Sequence, residues 1–63
     1  MGIELYKSGN CWMSRTIGGV YEEECRRLFG TNEIPTAFTA QAEPETVRRE
    51  IQALNPALEV VLL

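Results

Sequence analysis

The hexapeptide LEVVLL near the end of the sequence constrains the fold of this chain more than any other segment. Successive side chains of a β-strand point to opposite faces, so a strand here places Leu58, Val60 and Leu62 on one face. Val61 and Leu63 lie on the other face. A strand that is apolar on both faces is either central in a two-layer fold or covered by another molecule. We expect a second copy of the chain to cover part of it, because so short a chain has a small core.

The chain, residues 1–63, is predicted to form one small domain, and a domain of this size usually needs disulfides, a metal, a very good core or a partner subunit. Histidine and aspartate are absent, and Cys11 and Cys25 are the only cysteines, so no zinc-ligand pattern is present. Secreted small domains typically carry four or more cysteines behind a signal peptide, and the start MGIELYKSG lacks an apolar segment. We predict two buried, reduced thiols and a cytoplasmic location.

Composition excludes several classes of protein. The net charge is −3, with nine acidic against six basic residues, which argues against a duplex-DNA binder. The hydrophobic fraction of 44% is typical of a globular chain rather than a disordered one. The longest apolar run is far shorter than the roughly 20 residues that cross a bilayer.

The N-terminal part predicts a β-hairpin that turns at Gly9-Asn10, a dipeptide suited to a two-residue turn. If Ser8 faces Cys11, the next cross-strand pairs are Lys7 with Trp12, Tyr6 with Met13, Leu5 with Ser14, and Glu4 with Arg15. These pairs join a cation with an aromatic ring, a ring with a thioether, and opposite charges, which supports the register. The register gives two apolar sets on opposite faces: Ile3, Leu5 and Trp12 on one, and Tyr6, Cys11, Met13 and Ile17 on the other.

A first short helix is predicted after Gly18-Gly19, because Tyr21, Cys25 and Leu28 recur at helical spacing. Gly30 stands where a left-handed cap is expected. The segment CRRLF also fits a third strand, and this alternative stays open.

A second helix is predicted in EPETVRREIQALNP, with Pro44 in its first turn and its end at Asn55-Pro56. Its apolar stripe consists of Val47, Ile51 and Leu54. Between the helices, TNEIP predicts a loop and TAFTA predicts a strand. The sequence therefore predicts an α+β fold of order β-β-α-β-α-β, with a mostly antiparallel sheet and one or two short helices on one face.

Candidate catalytic groups have structural interpretations that fit better. Cys25 precedes Arg26 and Arg27, which favours some thiolate character, but its place on an apolar stripe favours a structural role. The glutamate run Glu22–Glu24 and the pair Glu43 and Glu45 are typical of helix N-termini. No catalytic, cofactor-binding or metal-binding residue is predicted, and we expect the protein not to be an enzyme.

Two binding functions remain. The first is a small binding or regulatory module that acts through protein–protein interaction and self-associates as a homodimer, with a second copy and an unidentified protein as partners. Its candidate interaction surface consists of Tyr6, Met13, Ile17, Val61 and Leu63. The alternative is a sheet-based binder of single-stranded nucleic acid that uses Lys7, Trp12 and Arg15. Against this alternative, a tryptophan in a small hairpin is more often part of the core.

A family resemblance covers nearly the whole chain. The residues that carry it are Trp12, Leu28–Thr31, Ile34–Ala40, Pro44–Val47, Ile51 and Leu54–Pro56. In this spacing the chain resembles a group of small uncharacterised bacterial proteins, mainly cyanobacterial. The resemblance implies a cytoplasmic bacterial protein and no particular activity. The motif W-x-x-R at Trp12–Arg15 is also similar to the hairpins of three-stranded DNA-binding domains of the integrase and AP2 kind.

Overall fold

A hairpin forms the centre of the structure, a computed structural model that describes residues 1–63. The elements in chain order are β1 (Gly2–Ser8), β2 (Cys11–Ile17), α1 (Gly19–Phe29), β3 (Glu33–Thr39), α2 (Pro44–Leu54) and β4 (Glu59–Leu62). The sheet has the strand order β3-β2-β1-β4, and only the β1–β4 pairing is parallel. The predicted α+β fold, with its element order and mostly antiparallel sheet, is confirmed.

The hairpin has the predicted register, from Ser8 opposite Cys11 to Glu4 opposite Arg15. Gly9 has a φ of 61°, a left-handed conformation that suits glycine in the turn. Lys7 Nζ lies 5.4 Å from the centroid of the Trp12 ring, as expected of a cation beside an aromatic face.

The core lies on one face of the sheet. Its six buried apolar residues are Ile3, Leu5, Trp12, Val47, Leu58 and Val60. Trp12 is 3% exposed, and its indole N–H donates to the Ala42 carbonyl at 3.2 Å. Trp12 thus belongs to the core, the position that is more common for a tryptophan in a small hairpin.

The opposite side of the sheet contains no buried residue, and we call it the open face. It includes Glu4, Tyr6, Cys11, Met13, Arg15, Ile17, Glu33, Glu59, Val61 and Leu63. Neither helix buries any of these residues. The chain thus has one covered and one uncovered sheet surface.

β4 lies at an edge of the sheet, beside β1. Because β3 and β4 run in the same direction, the chain must cross the sheet between them, and α2 provides this crossover. Leu58 and Val60 reach the core, whereas Val61 and Leu63 point to the open face, as the alternation predicts.

α1 begins at Gly19 and ends at a Gly30 cap with a φ of 78°, whose N–H donates to Arg26 C=O at 2.9 Å. The helix is confirmed, and the alternative third strand in CRRLF is wrong. Its predicted stripe is not buried, however, since Tyr21 and Leu28 are exposed. The physical reason is topological: α1 joins two neighbouring antiparallel strands and contacts mainly β2 rather than the core.

α2 follows its predicted bounds, and Val47 is its one buried residue. Ile51 packs against the core, but Leu54 is 77% exposed, so the predicted stripe is wrong at its last position. Leu54 is the last residue of the helix and does not belong to the six-residue core. Neither helix of the structure is long and apolar enough to span a membrane.

β3 begins at Glu33, so the predicted TNEIP loop is wrong from this residue onward. Its start is anchored by Asn32, which is buried and donates through Nδ2 to Thr16 C=O at 2.8 Å. Pro35 fits within β3 because an edge strand has an outward side where a missing N–H needs no partner.

Both cysteines are free, as predicted, but they are half-buried rather than buried. Cys11 points to the same face as Met13, and its Sγ lies 3.9 Å from Met13 Sδ. Cys25 lies on α1, which has no buried residue.

Candidate interaction surface

The five residues of the predicted interaction surface all lie on the open face. Tyr6 and Met13 face each other across β1 and β2, and Val61 lies beside Glu4 across β1 and β4. The same β1–β4 register, continued by one residue, places Leu63 beside Tyr6. Ile17 is opposite Gly2, at the other end of the hairpin. The structure therefore brings this set together on one surface.

These side chains are incompletely covered by the chain itself. Leu63 is 65% exposed, Val61 is 40% exposed and Ile17 is 38% exposed, while Tyr6 and Met13 are half-buried. Isolated apolar residues are common on protein surfaces, but a contiguous set on one flat sheet face is typical of a contact site.

A charged triad occupies the middle of the open face. An Arg15 Nη lies 2.9 Å from a Glu4 carboxylate oxygen, and its other Nη lies 3.3 Å from Glu33. The guanidinium carbon also lies 5.3 Å from the centroid of the Tyr6 ring. The hydrogen bond to Glu4 raises the pKa of Arg15, and burial together with the nearby Glu33 raises the pKa of Tyr6. Arg15 is thus already satisfied within the chain.

A shallow pocket of about 210 Å³ lies where β1 meets the start of β4. Its lining residues are Met1, Gly2, Ile3, Glu4, Ile17, Glu59 and Val61. The pocket connects two members of the predicted surface, Ile17 and Val61. Its acidic side chains are Glu4 and Glu59, and since Glu4 is paired with Arg15, Glu59 is the carboxylate without an ion-pair partner.

The residues of the alternative nucleic-acid surface do not form a surface. Trp12 is buried and points to the core, so its ring offers no stacking platform to a base. Lys7 lies on the same side as Trp12, but Arg15 points to the open face and is held by two carboxylates. The three residues do not share one face because alternation along β2 separates Trp12 from Arg15.

The glutamates near the helix starts are used in local bonds. Glu22 accepts the Gly18 N–H at 2.8 Å and pairs with Arg26, and these two contacts, in that order, lower its pKa. Arg48 likewise lowers the pKa of Glu45. No three His, Cys, Asp or Glu side chains come together as a metal site would require.

Sequence reasoning missed two surfaces. The first is an exposed apolar set on α1, which consists of Val20, Tyr21, Leu28 and Phe29. The adjacent Leu28 and Phe29 before the Gly30 cap were a signal for it, since one narrow stripe cannot bury both. The second is the free backbone edge of β4, which side-chain patterns do not reveal.

Comparison with known protein families, with curated proteins and with solved structures gave no match. The geometry therefore defines only a class, a small α+β domain with a four-stranded mixed sheet and one open face. The resemblance to small bacterial proteins stays a prediction.

Proposed function

We propose that this protein is a non-enzymatic binding or regulatory module that acts through protein–protein contact and associates with a second copy of itself. One observation carries the proposal. The open face holds Tyr6, Met13, Ile17, Val61 and Leu63 together, and the helices of the chain bury none of them.

The chemistry of the open face favours a protein surface as its occupant. The apolar side chains gain from leaving water, at roughly 25 cal/mol per Å² of apolar area buried. The triad of Arg15 with Glu4 and Glu33 presents no unpaired cation, so a phosphate backbone finds little to neutralise there. A second copy presents the same apolar side chains and the same internally paired Arg15.

The size of the molecule predicts the strength of this association. A standard interface buries about 800 Å² per partner, which is nearly a fifth of the 4152 Å² accessible surface of this chain. The open face spans roughly 20 Å in each direction, from strand rise and strand spacing, so its projected area of about 400 Å² is half of a standard interface. We therefore expect a weak, concentration-dependent dimer with a Kd in the micromolar range.

The state of the two thiols bears on the cellular compartment in which the protein functions. Cys11 and Cys25 are free and half-buried, which supports a reducing compartment such as the bacterial cytoplasm.

Sedimentation velocity from micromolar to millimolar concentration tests the proposal, and the average mass should rise with concentration. Leu63→Ser and Leu54→Ser form a matched pair, because both leucines are highly exposed but only Leu63 lies on the open face. We expect Leu63→Ser to weaken association and Leu54→Ser to leave it unchanged. A chain that stays monomeric throughout this range would overturn the self-association and leave the surface to a different protein.

A further inference from the structure

β4 has one neighbour in the sheet and leaves its other edge free. The Leu63 N–H donates to the Leu5 carbonyl at 2.9 Å, so the backbone groups of Leu63 point toward β1. Backbone directions alternate along a strand, and those of Val60 and Leu62 therefore point away from β1. The free edge thus presents two N–H donors and two carbonyl acceptors.

The two edges of the sheet differ in how well they are protected against pairing with a strand of another chain. In β3, Pro35 lacks an N–H, and the pairing with β2 is irregular between Cys11 and Met13. Proline and irregularities of this kind are devices that keep an edge strand from pairing with another chain. β4 has neither proline, lysine nor an irregularity in its pairing. β4 is therefore the edge open to strand addition.

We propose, resting on the self-association above, that β4 of a second copy pairs antiparallel with this edge, with the two-fold axis at Val61. In this register Val60 of each copy faces Leu62 of the other. The two facing pairs exchange four backbone hydrogen bonds, which use all the free groups of both edges. The two four-stranded sheets become one sheet of eight strands.

The neighbouring register is less favourable. An axis at Val60 would require the backbone of Leu58, whose N–H donates to Asn55 C=O at 3.1 Å. The Leu58 carbonyl accepts from Gln52 Nε2 at 2.7 Å. Both groups of Leu58 are thus already used within the chain.

Charge disfavours an axis at Glu59, which would place the two Glu59 carboxylates opposite each other. With the axis at Val61, Glu59 of one copy lies opposite Leu63 of the other. Like charges directly opposite on paired strands are destabilising.

The pairing has a consequence for the open face. The two Val61 side chains become direct neighbours, with β-carbons about 5 Å apart, and a Leu63 side chain flanks them on each side. The apolar part of the open face then runs without interruption from one copy to the other. On the core face, the half-buried Leu62 gains Val60 of the second copy as cover.

Charge-swap variants test this geometry. Val61→Lys and Val61→Glu each place like charges opposite each other at the axis, and we expect each alone to dimerise about tenfold more weakly or worse. Mixing the two variants should restore dimers, because residue 61 then faces an opposite charge. Leu54→Lys is the matched control for the added charge, because Leu54 is an exposed apolar residue that lies off the open face. We expect it to change the Kd by about threefold at most.

The outcomes separate this inference from the proposed function. Analytical ultracentrifugation of each variant and of the equimolar mixture gives the mass, and circular dichroism shows that each variant is folded. A wild-type chain that is always monomeric overturns the β4 pairing and the self-association, and leaves the open face to a different protein. A wild-type dimer that Leu54→Lys and Val61→Lys weaken equally, without recovery in the mixture, overturns the β4 pairing and keeps the self-association.

A cross-link provides a second measurement. In a Cys11→Ser, Cys25→Ser background, Val61→Cys should form a disulfide-linked dimer with oxidised glutathione, because facing non-hydrogen-bonded pairs have α-carbons about 4.5 Å apart. Ile17→Cys should not. Equal cross-linking of both variants contradicts the axis at Val61.

Discussion

Replacement of Leu5 by alanine tests the claim that the fold is held together from one face of the sheet. Leu5 is fully buried at the centre of the core face, between Ser14 on β2 and Leu62 on β4. Buried Leu→Ala changes cost about 2–5 kcal/mol in the free energy of unfolding. A chain of this length has only about 3–9 kcal/mol in total, at roughly 0.05–0.15 kcal/mol per residue. We therefore expect Leu5→Ala to remove half or more of the stability.

Leu62→Ala is the matched control, since Leu62 is the same residue type beside Leu5 on the same face but only half-buried. We expect it to cost about half as much, from its smaller buried area. Urea unfolding followed by the fluorescence of Trp12, the only tryptophan, measures both changes. Equal losses for the two variants, or a loss below about 1 kcal/mol for Leu5→Ala, would refute a core centred on β1. Because binding stabilises the folded state, the cost of Leu62→Ala should grow with protein concentration if β4 pairs with a second copy.

Three further results are expected. Trp12 should show blue-shifted emission in the folded protein, and efficient quenching by iodide before unfolding would contradict its burial. Gly30→Ala should lower the free energy of unfolding by about 1 kcal/mol because Gly30 has a φ of 78°, and Gly30→Asn should cost less; equal unfolding midpoints for wild type and Gly30→Ala would count against the cap. The Glu22 carboxylate should stabilise the fold at neutral pH, since the Gly18 N–H and Arg26 lower its pKa, and this stabilisation should be lost as the pH falls below about 4.3, the ordinary value, through the lowered one. The stability gap between wild type and Glu22→Gln should thus close in acid, and a gap that is constant with pH would contradict the assignment.

The hairpin was the most predictable part of the structure. A two-residue turn at Gly9-Asn10 sets the register, and every cross-strand pair follows from it. The same register places Trp12 and Tyr6 on opposite faces of the hairpin, so the composition of both faces could be predicted. The helix bounds near Gly30 and Pro44 were also predictable, because caps and first-turn prolines act locally.

The shared face of Tyr6, Met13, Ile17, Val61 and Leu63 was predictable, because the period of two along strands is a local property. Trp12 and Arg15 lie on opposite faces for the same reason, since they are an odd number of residues apart on β2. The exposure of Leu28 and Leu54 could not be predicted, because an apolar stripe on a helix does not show whether another element packs against it.

The sequence by itself determined the turn, the register, the helix ends and which apolar side chains share a face, because these depend on interactions between near neighbours in the chain. Only the tertiary structure decided which face α2 covers, and that β4 joins β1 as a parallel strand at an edge. Both follow from a crossover between residues far apart in sequence, whose outcome depends on the packing of the whole domain. That crossover leaves Val61 and Leu63 uncovered and the outer edge of the β4 backbone unpaired.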